Sequence, residues 1–174
     1  MRIYVVGVGN SWASDDAIGP KVVRQLQAQF GETLADQTIS QNGRVTSQPG
    51  ARAQVVFQTL SHPAVELLDL KEQCDVLLVV DAVASGAPPG TIHRELWQTG
   101  VLSSKGVERA STHGLGVHEL LELAAKLDQL PGQVILVGIE INSTKPGHGL
   151  SPDVAAALPA LVERLRREVK AYLQ

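Results

Sequence analysis

The run Val76-Leu77-Leu78-Val79-Val80, bounded by Asp75 and Asp81, places no polar residue on either alternating face of an extended chain. A strand with one face in water alternates apolar and polar side chains. An uninterrupted run of this length therefore predicts a strand covered on both sides, the condition met inside a mainly parallel sheet. Ile3-Tyr4-Val5-Val6-Gly7-Val8 and the stretch Val134 to Ile139 repeat the pattern. Helices must then pack above and below these strands.

Their positions follow from spacing. Ile18, Val22, Val23, Leu26 and Phe30 recur with helical period, and Pro20 falls in the first turn, where it is tolerated. Val117, Leu120, Leu121, Ala124 and Leu127 make a second stripe, for which Ser111 or Thr112 is the expected N-cap and Pro131-Gly132 the stop. A third stripe, Val154, Leu158, Leu161, Leu165 and Val169, opens at Ser151-Pro152, and Pro159 is expected to bend it or remove one hydrogen bond. Ala53 to Thr59 predicts a second core strand, and Pro63 opens a short helix carrying Val65, Leu67 and Leu68. Beyond the Pro88-Pro89-Gly90 turn, Thr91 to Trp97 alternates enough for an edge strand. Gly31 to Arg52 follows neither period and is expected to be a long connection with a short strand near Gln37 to Ser40. The succession predicts an α/β fold: a three-layer sandwich whose mainly parallel twisted sheet of about five strands is flanked by helices.

At 174 residues and 44% hydrophobic content, the chain suits one well-filled core better than two, so residues 1–174 are expected to form a single domain. Net charge is −3 and no Lys/Arg run occurs, which removes the electrostatic footprint of a nucleic-acid binder. Cys74 is the only cysteine; it excludes an internal disulfide and a cysteine-based zinc cluster, and is expected to be a small buried hydrophobe. Without a signal-peptide pattern or a long apolar span, a cytoplasmic protein with no membrane partner is expected.

In an open parallel sheet, ligands collect beyond the carboxyl ends of the strands. Asp16 lies in the loop after the first strand, Asp81 ends the central apolar run, and His113 opens a helix expected to begin near the same edge. Alone, each reads as a turn former or cap. Together, two hard carboxylates and one imidazole suit a divalent transition ion whose remaining positions stay open to substrate or water. Gly7-Val8-Gly9 invites a dinucleotide-binding reading, but the third glycine of that fingerprint would fall at Trp12, and Asp15 and Asp16 would set negative charge beside the phosphates. The glycines are assigned instead to a tight turn that carries Asn10 and Asp16 across the sheet edge. No serine has a Gly-x-Ser-x-Gly elbow around it. His62, His93, His118 and His148 are alternatives to His113, expected mainly in surface or capping roles, with His148 placed to flank a substrate groove.

Gly7-Val8-Gly9-Asn10 with Asp15-Asp16-Ala17-Ile18-Gly19, Val80-Asp81-Ala82-Val83, and Ser111-Thr112-His113-Gly114-Leu115-Gly116 follow one another in an order that resembles the endopeptidases maturing nickel-iron hydrogenase large subunits. Val137-Gly138-Ile139 through Gly149-Leu150-Ser151-Pro152 fits as well, so the resemblance spans nearly the whole chain. It implies that Asp16, Asp81 and His113 are at once the metal ligands and the catalytic set of an aspartyl-type or metal-dependent endopeptidase. The implied reaction removes a C-terminal extension from a hydrogenase large-subunit precursor after nickel insertion. The nickel would be presented by the substrate, with other divalent ions able to substitute. The chain departs from the family at Phe57-Gln58-Thr59-Leu60, where an Asp-Gly-Gly-Thr-like turn is common, and in the longer polar insertion before it. A noncatalytic nickel or precursor-binding chaperone on the same scaffold, and a small-molecule hydrolase using the same acidic edge, are the alternatives.

Overall fold

The three uninterrupted apolar runs become the centre of the sheet. The computed structural model describes residues 1–33, 53–61, 67, 72–97, 116–147 and 149–174. Among them, five strands form one sheet: β1 (Arg2–Val8), β2 (Gln54–Leu60), β3 (Val76–Val83), β4 (Ile92–Leu96) and β5 (Gln133–Glu140), in the order β2-β1-β3-β5-β4. All neighbours are parallel except β4, which runs antiparallel to β5 at one edge. Alternation along the strands divides the core in two. Ile3, Val5, Leu78, Val80, Ile135 and Val137 pack with apolar residues of α1 (Ile18–Thr33) and α3 (Pro152–Leu173). Tyr4, Val6, Leu77, Val79, Val134 and Leu136 pack with Val117 and Leu121 of α2 (Val117–Lys126). This is the expected three-layer α/β sandwich.

Differences from expectation sit at element ends. Helix α1 continues through Gly31 to Thr33, so the connection begins later than the polar composition suggested. The second core strand, β2, lies at the sheet's other edge, yet Val55, Val56 and Phe57 are buried because both faces are still covered. Strand β3 does not stop at Asp81; Asp81, Ala82 and Val83 pair with Gly138, Ile139 and Glu140, whereas the β1 ladder ends at Gly7 opposite Val80. Helix α2 begins at Val117 with Gly116 at the N-cap, not at Ser111 or Thr112, and it ends before Leu127, which is 54% exposed. Asp128, with φ +55°, turns the chain away before Pro131 is reached. Helix α3 is continuous through Pro159, which is exposed on its outer face. The strand expected near Gln37 to Ser40 and the helix after Pro63 lie outside the described residues, apart from Leu67, which is buried.

One contact sets how close α1 comes to the sheet. A Cβ on Gly19 would stand 2.6 Å from the Val80 carbonyl oxygen and closer still to that of Val8; a Cβ on Gly7 would strike the Gly19 carbonyl. Backbone meets backbone here, so no side-chain rearrangement makes room. Gly19→Ala is expected to destabilise the fold by about 3 kcal/mol, read from urea unfolding; a loss below about 0.5 kcal/mol would mean that this packing is looser than described.

Candidate active site at the carboxyl ends of the strands

Asp16 is positioned by the turn that follows β1. Gly9 has φ +139°, and a Cβ there would overlap the Asp16 carbonyl, so only glycine permits the loop to fold back this closely. The next residue, Asn10, donates its backbone N–H to Asp16 Oδ2 at 2.8 Å, and its own Oδ1 accepts the Trp12 N–H at 2.9 Å. Residues Ser14–Ala17 form a single 3-10 turn leading into α1. Three residues after Asp16, Gly19 rests on the carbonyl of Val80, the residue before Asp81. The tight turn at Gly9 is the role expected of the Gly7-Val8-Gly9 stretch, whereas the packing of Gly19 on the strands, which sets Asp16 near the end of β3, was not read from the sequence.

Asp81 is half-buried and lies one residue past the end of the β1 ladder. Its Oδ1 accepts the N–H of Ala82 at 2.9 Å. It projects to the α2 side of the sheet, where it joins Val79, Val83, Leu136, Gly138 and Val117 in lining a shallow, mostly apolar hollow. Val117 is the first residue of α2, so the N-terminus of that helix borders the hollow. His113, four positions earlier, lies outside the described residues, as do His62 and His148. Among the described residues, no three His, Cys, Asp or Glu side chains come together as a metal-binding group. Asp16 and Asp81 thus supply two carboxylates at one edge, without a described third ligand. His118 stands on α2 with its Nδ1 enclosed and without a hydrogen-bond partner among the described residues, while His93 lies on β4 with its Nε2 3.2 Å from Glu140 Oε2.

Sequence reasoning gave no role to two buried acids. Asp15 has no exposed surface and accepts hydrogen bonds from the N–H groups of Asn142 and Ser143 at 3.0 and 3.1 Å, and from Ser151 N–H and Oγ–H at 2.6 and 2.9 Å. Its backbone N–H also donates to the Ser143 carbonyl. Of two adjacent acids, one is consumed in holding loops together and the other, Asp16, is half-exposed. The second, Glu140, is 2% exposed and accepts from Ser85 N–H, Ser85 Oγ–H and Gly86 N–H at 2.6, 2.7 and 2.8 Å, besides His93. An acid closing the apolar run Val134 to Ile139 was the available signal for it. Burial opposes its charge, but the hydrogen bonds from Ser85, Gly86 and His93 prevail and hold the carboxyl below its ordinary pKa. Cys74 is buried and free as expected; burial, aided by the Asp75 charge, pushes its thiol up to about 12.

The family model for hydrogenase maturation protease (HycI) matches residues 61–168, well over half of the chain. The chain belongs to the hydrogenase maturation protease family. Its relatives within this family include the hydrogenase 2 maturation protease of Escherichia coli strain K12, 27% identical over 166 residues that make up 95% of this chain and 88% of the relative. The hydrogenase expression/formation protein HupD of Thiocapsa roseopersicina is 28% identical over 163 residues; the match covers 93% of this chain but only 65% of that longer relative. Among solved structures, the hydrogenase maturating endopeptidase HybD from E. coli superposes with a TM-score of 0.68 at 27% identity, covering 99% of this chain and 94% of that one. HybD from Thermococcus kodakarensis, at 21% identity and a TM-score of 0.67 over 96% of this chain and 98% of its own, shares the fold. Among the described residues of this family member, no helix is long and apolar enough to cross a membrane.

The division of labour between the two adjacent acids is testable by unfolding. Asp15→Ala strands three N–H groups and is expected to cost about 3 kcal/mol, against about 1 kcal/mol for Asp16→Ala, which loses one hydrogen bond; equal costs would contradict the assignment. Glu140 gives a pH signature. Its folded pKa lies below its ordinary value of 4.5, so the stability it contributes is fully present above that pH and is lost as pH falls through the lower folded value. Glu140→Gln should flatten that acid limb of stability against pH, measured by urea unfolding at successive pH values. An unchanged slope would remove Glu140 as its source.

Proposed function

We propose that this hydrogenase maturation protease is an endopeptidase that removes the C-terminal extension of a nickel-iron hydrogenase large-subunit precursor after nickel insertion, with Asp16, Asp81 and His113 binding the metal that the precursor carries. The observation that carries the reading is the contact of Gly19 with the Val80 carbonyl, which brings a half-exposed Asp16 and a half-buried Asp81 to the carboxyl edge of the same two neighbouring strands. Hard oxygen donors from two elements suit a divalent ion that arrives with other ligands already in place, since a closed protein cage would leave no position for the substrate. An ion so held supplies positive charge that polarises a carbonyl or acidifies a bound water. Asn10 fixes the Asp16 carboxylate through its N–H, and the hollow beside Asp81 offers a mostly apolar surface next to that carboxylate. His113 is assigned as third ligand from the family resemblance, and its segment leads into Val117 at the rim of that hollow.

Incubation with purified nickel-loaded and nickel-free precursors, followed by mass spectrometry, tests this directly. Only the loaded form should be shortened. Asp16→Ala, Asp81→Ala and His113→Ala should each lower cleavage by about a hundredfold or more while remaining folded. Normal processing by all three variants would end the proposal.

A further inference from the structure

Among the described residues, the most exposed large apolar side chain is that of Trp12, at 69%. A single apolar residue on a surface is ordinary; its place is what matters here. Trp12 lies in the loop between β1 and α1, four residues before Asp16, and Asn10 serves both. The Asn10 N–H holds the Asp16 carboxylate, and its Oδ1 accepts the Trp12 N–H at 2.9 Å. On the other side, the Trp12 carbonyl accepts the Gly147 N–H at 3.1 Å, and the Ser14 N–H donates to the Gly147 carbonyl at 3.2 Å, so the loop is tied to the segment after β5. The indole therefore stands in water on a backbone fixed at both its donor and its acceptor.

Trp12 is a member of neither apolar layer of the core. Its distance from Asp16 is bounded by the chain. Four residues span at most about 14 Å when fully extended, and this stretch is more compact, because the Asp16 N–H bonds back to the Ala13 carbonyl. A protein partner with a footprint of ordinary size, about 800 Å², covers a disc of about 16 Å radius. Centred on Asp16, such a disc includes Trp12. Tryptophan suits that place, since it brings up to about 250 Å² of contact surface and few side-chain torsions to fix on binding. The held backbone lowers the ordering cost further. Apart from one N–H donor the indole offers an apolar surface, so an apolar recess is its match.

We propose that Trp12 is a recognition residue of the protease, an aromatic anchor that enters an apolar recess of the hydrogenase large-subunit precursor when the precursor brings its scissile segment to Asp16 and Asp81. The inference rests on the protease reading above for the identity of the partner, and adds to it the side chain on which that partner docks.

The first test compares the wild type with Trp12→Ala, Trp12→Phe, Trp12→Leu and Trp12→Gln on nickel-loaded precursor. Truncation to Ala is expected to raise KM about thirtyfold, with kcat within about twofold and a melting temperature close to that of the wild type, because the side chain is exposed. Phe and Leu, which keep apolar bulk, should recover most of the loss; Gln should not. A wild-type KM in Trp12→Ala, or recovery by Gln as complete as by Leu, overturns the proposal. The second test leaves the protein intact. Trp12 and Trp97 are the only tryptophans, so wild-type protease labelled with 5-fluorotryptophan gives two fluorine resonances, assigned with Trp12→Phe. Saturation with unlabelled precursor should abolish the solvent-isotope shift of the Trp12 resonance; a shift that persists in the complex overturns the proposal. A wild type that binds the precursor without shortening it would refute the protease reading, while the resonance still decides the place of Trp12.

Discussion

A carboxylate with no exposed surface holds the functional edge of this molecule together. Asp15 accepts four hydrogen bonds from Asn142, Ser143 and Ser151. It thereby joins the loop after β1 to the loop after β5 and to the N-terminus of α3. Because Ser151 is the N-cap of α3, the same acid satisfies an N–H at the start of that helix, where negative charge is also favoured by the helix dipole. The bridge between Ala13 and Gly147, and the Ser14 hydroxyl on the Lys145 carbonyl, add to the seam. A carboxylate can be buried this completely only when its lone pairs are filled. The segment bearing Asp16 is therefore clamped on both sides, by Asp15 toward β5 and α3 and by Gly19 toward β3.

That clamp explains why adjacent acids have different destinies. A single 3-10 turn rotates successive side chains by about 120°, so Asp15 enters the loop seam while Asp16 turns to the half-exposed edge and takes the Asn10 N–H. Charge repulsion between the neighbours is reduced because the buried partner is surrounded by donors. Glu140 does for the β3–β4 turn what Asp15 does for the β1 loop: it fills its lone pairs with Ser85 and Gly86 and fixes the turn that follows Asp81 and Val83.

The sheet was legible because the apolar runs of β1, β3 and β5 are long, β-branched and free of polar interruptions, and the stripes of α1, α2 and α3 hold a single period. Ends were less legible, since they depend on partners distant in sequence. Asp81 looked terminal because the apolar run stops there, yet β5 continues pairing to Glu140 and extends β3 with it. Thr112 looked like a cap because of its residue type, but Gly116 occupies that position. Within the candidate site, Asp16 and Asp81 could be placed at one edge by the rule for parallel strands. The roles of Asp15 and Glu140 were hidden, because a carboxylate that binds loop N–H groups more than fifty positions away leaves no local pattern.

The lone thiol shows how the same fold separates chemistries along a strand. Cys74 precedes β3 at its amino end and Asp81 lies near its carboxyl end, so at about 3.3 Å per residue roughly 20 Å of strand lies between them. A thiolate is a softer ligand than a carboxylate and would compete for nickel brought to the edge. Burial, reinforced by Asp75, keeps the Cys74 proton in place to about pH 12. At neutral pH the thiol is therefore neutral and enclosed among apolar neighbours of the α2 layer. The carboxylates of Asp16 and Asp81 stand instead at the opposite end of the sheet, so the proposed ion would meet oxygen donors there and not the thiol.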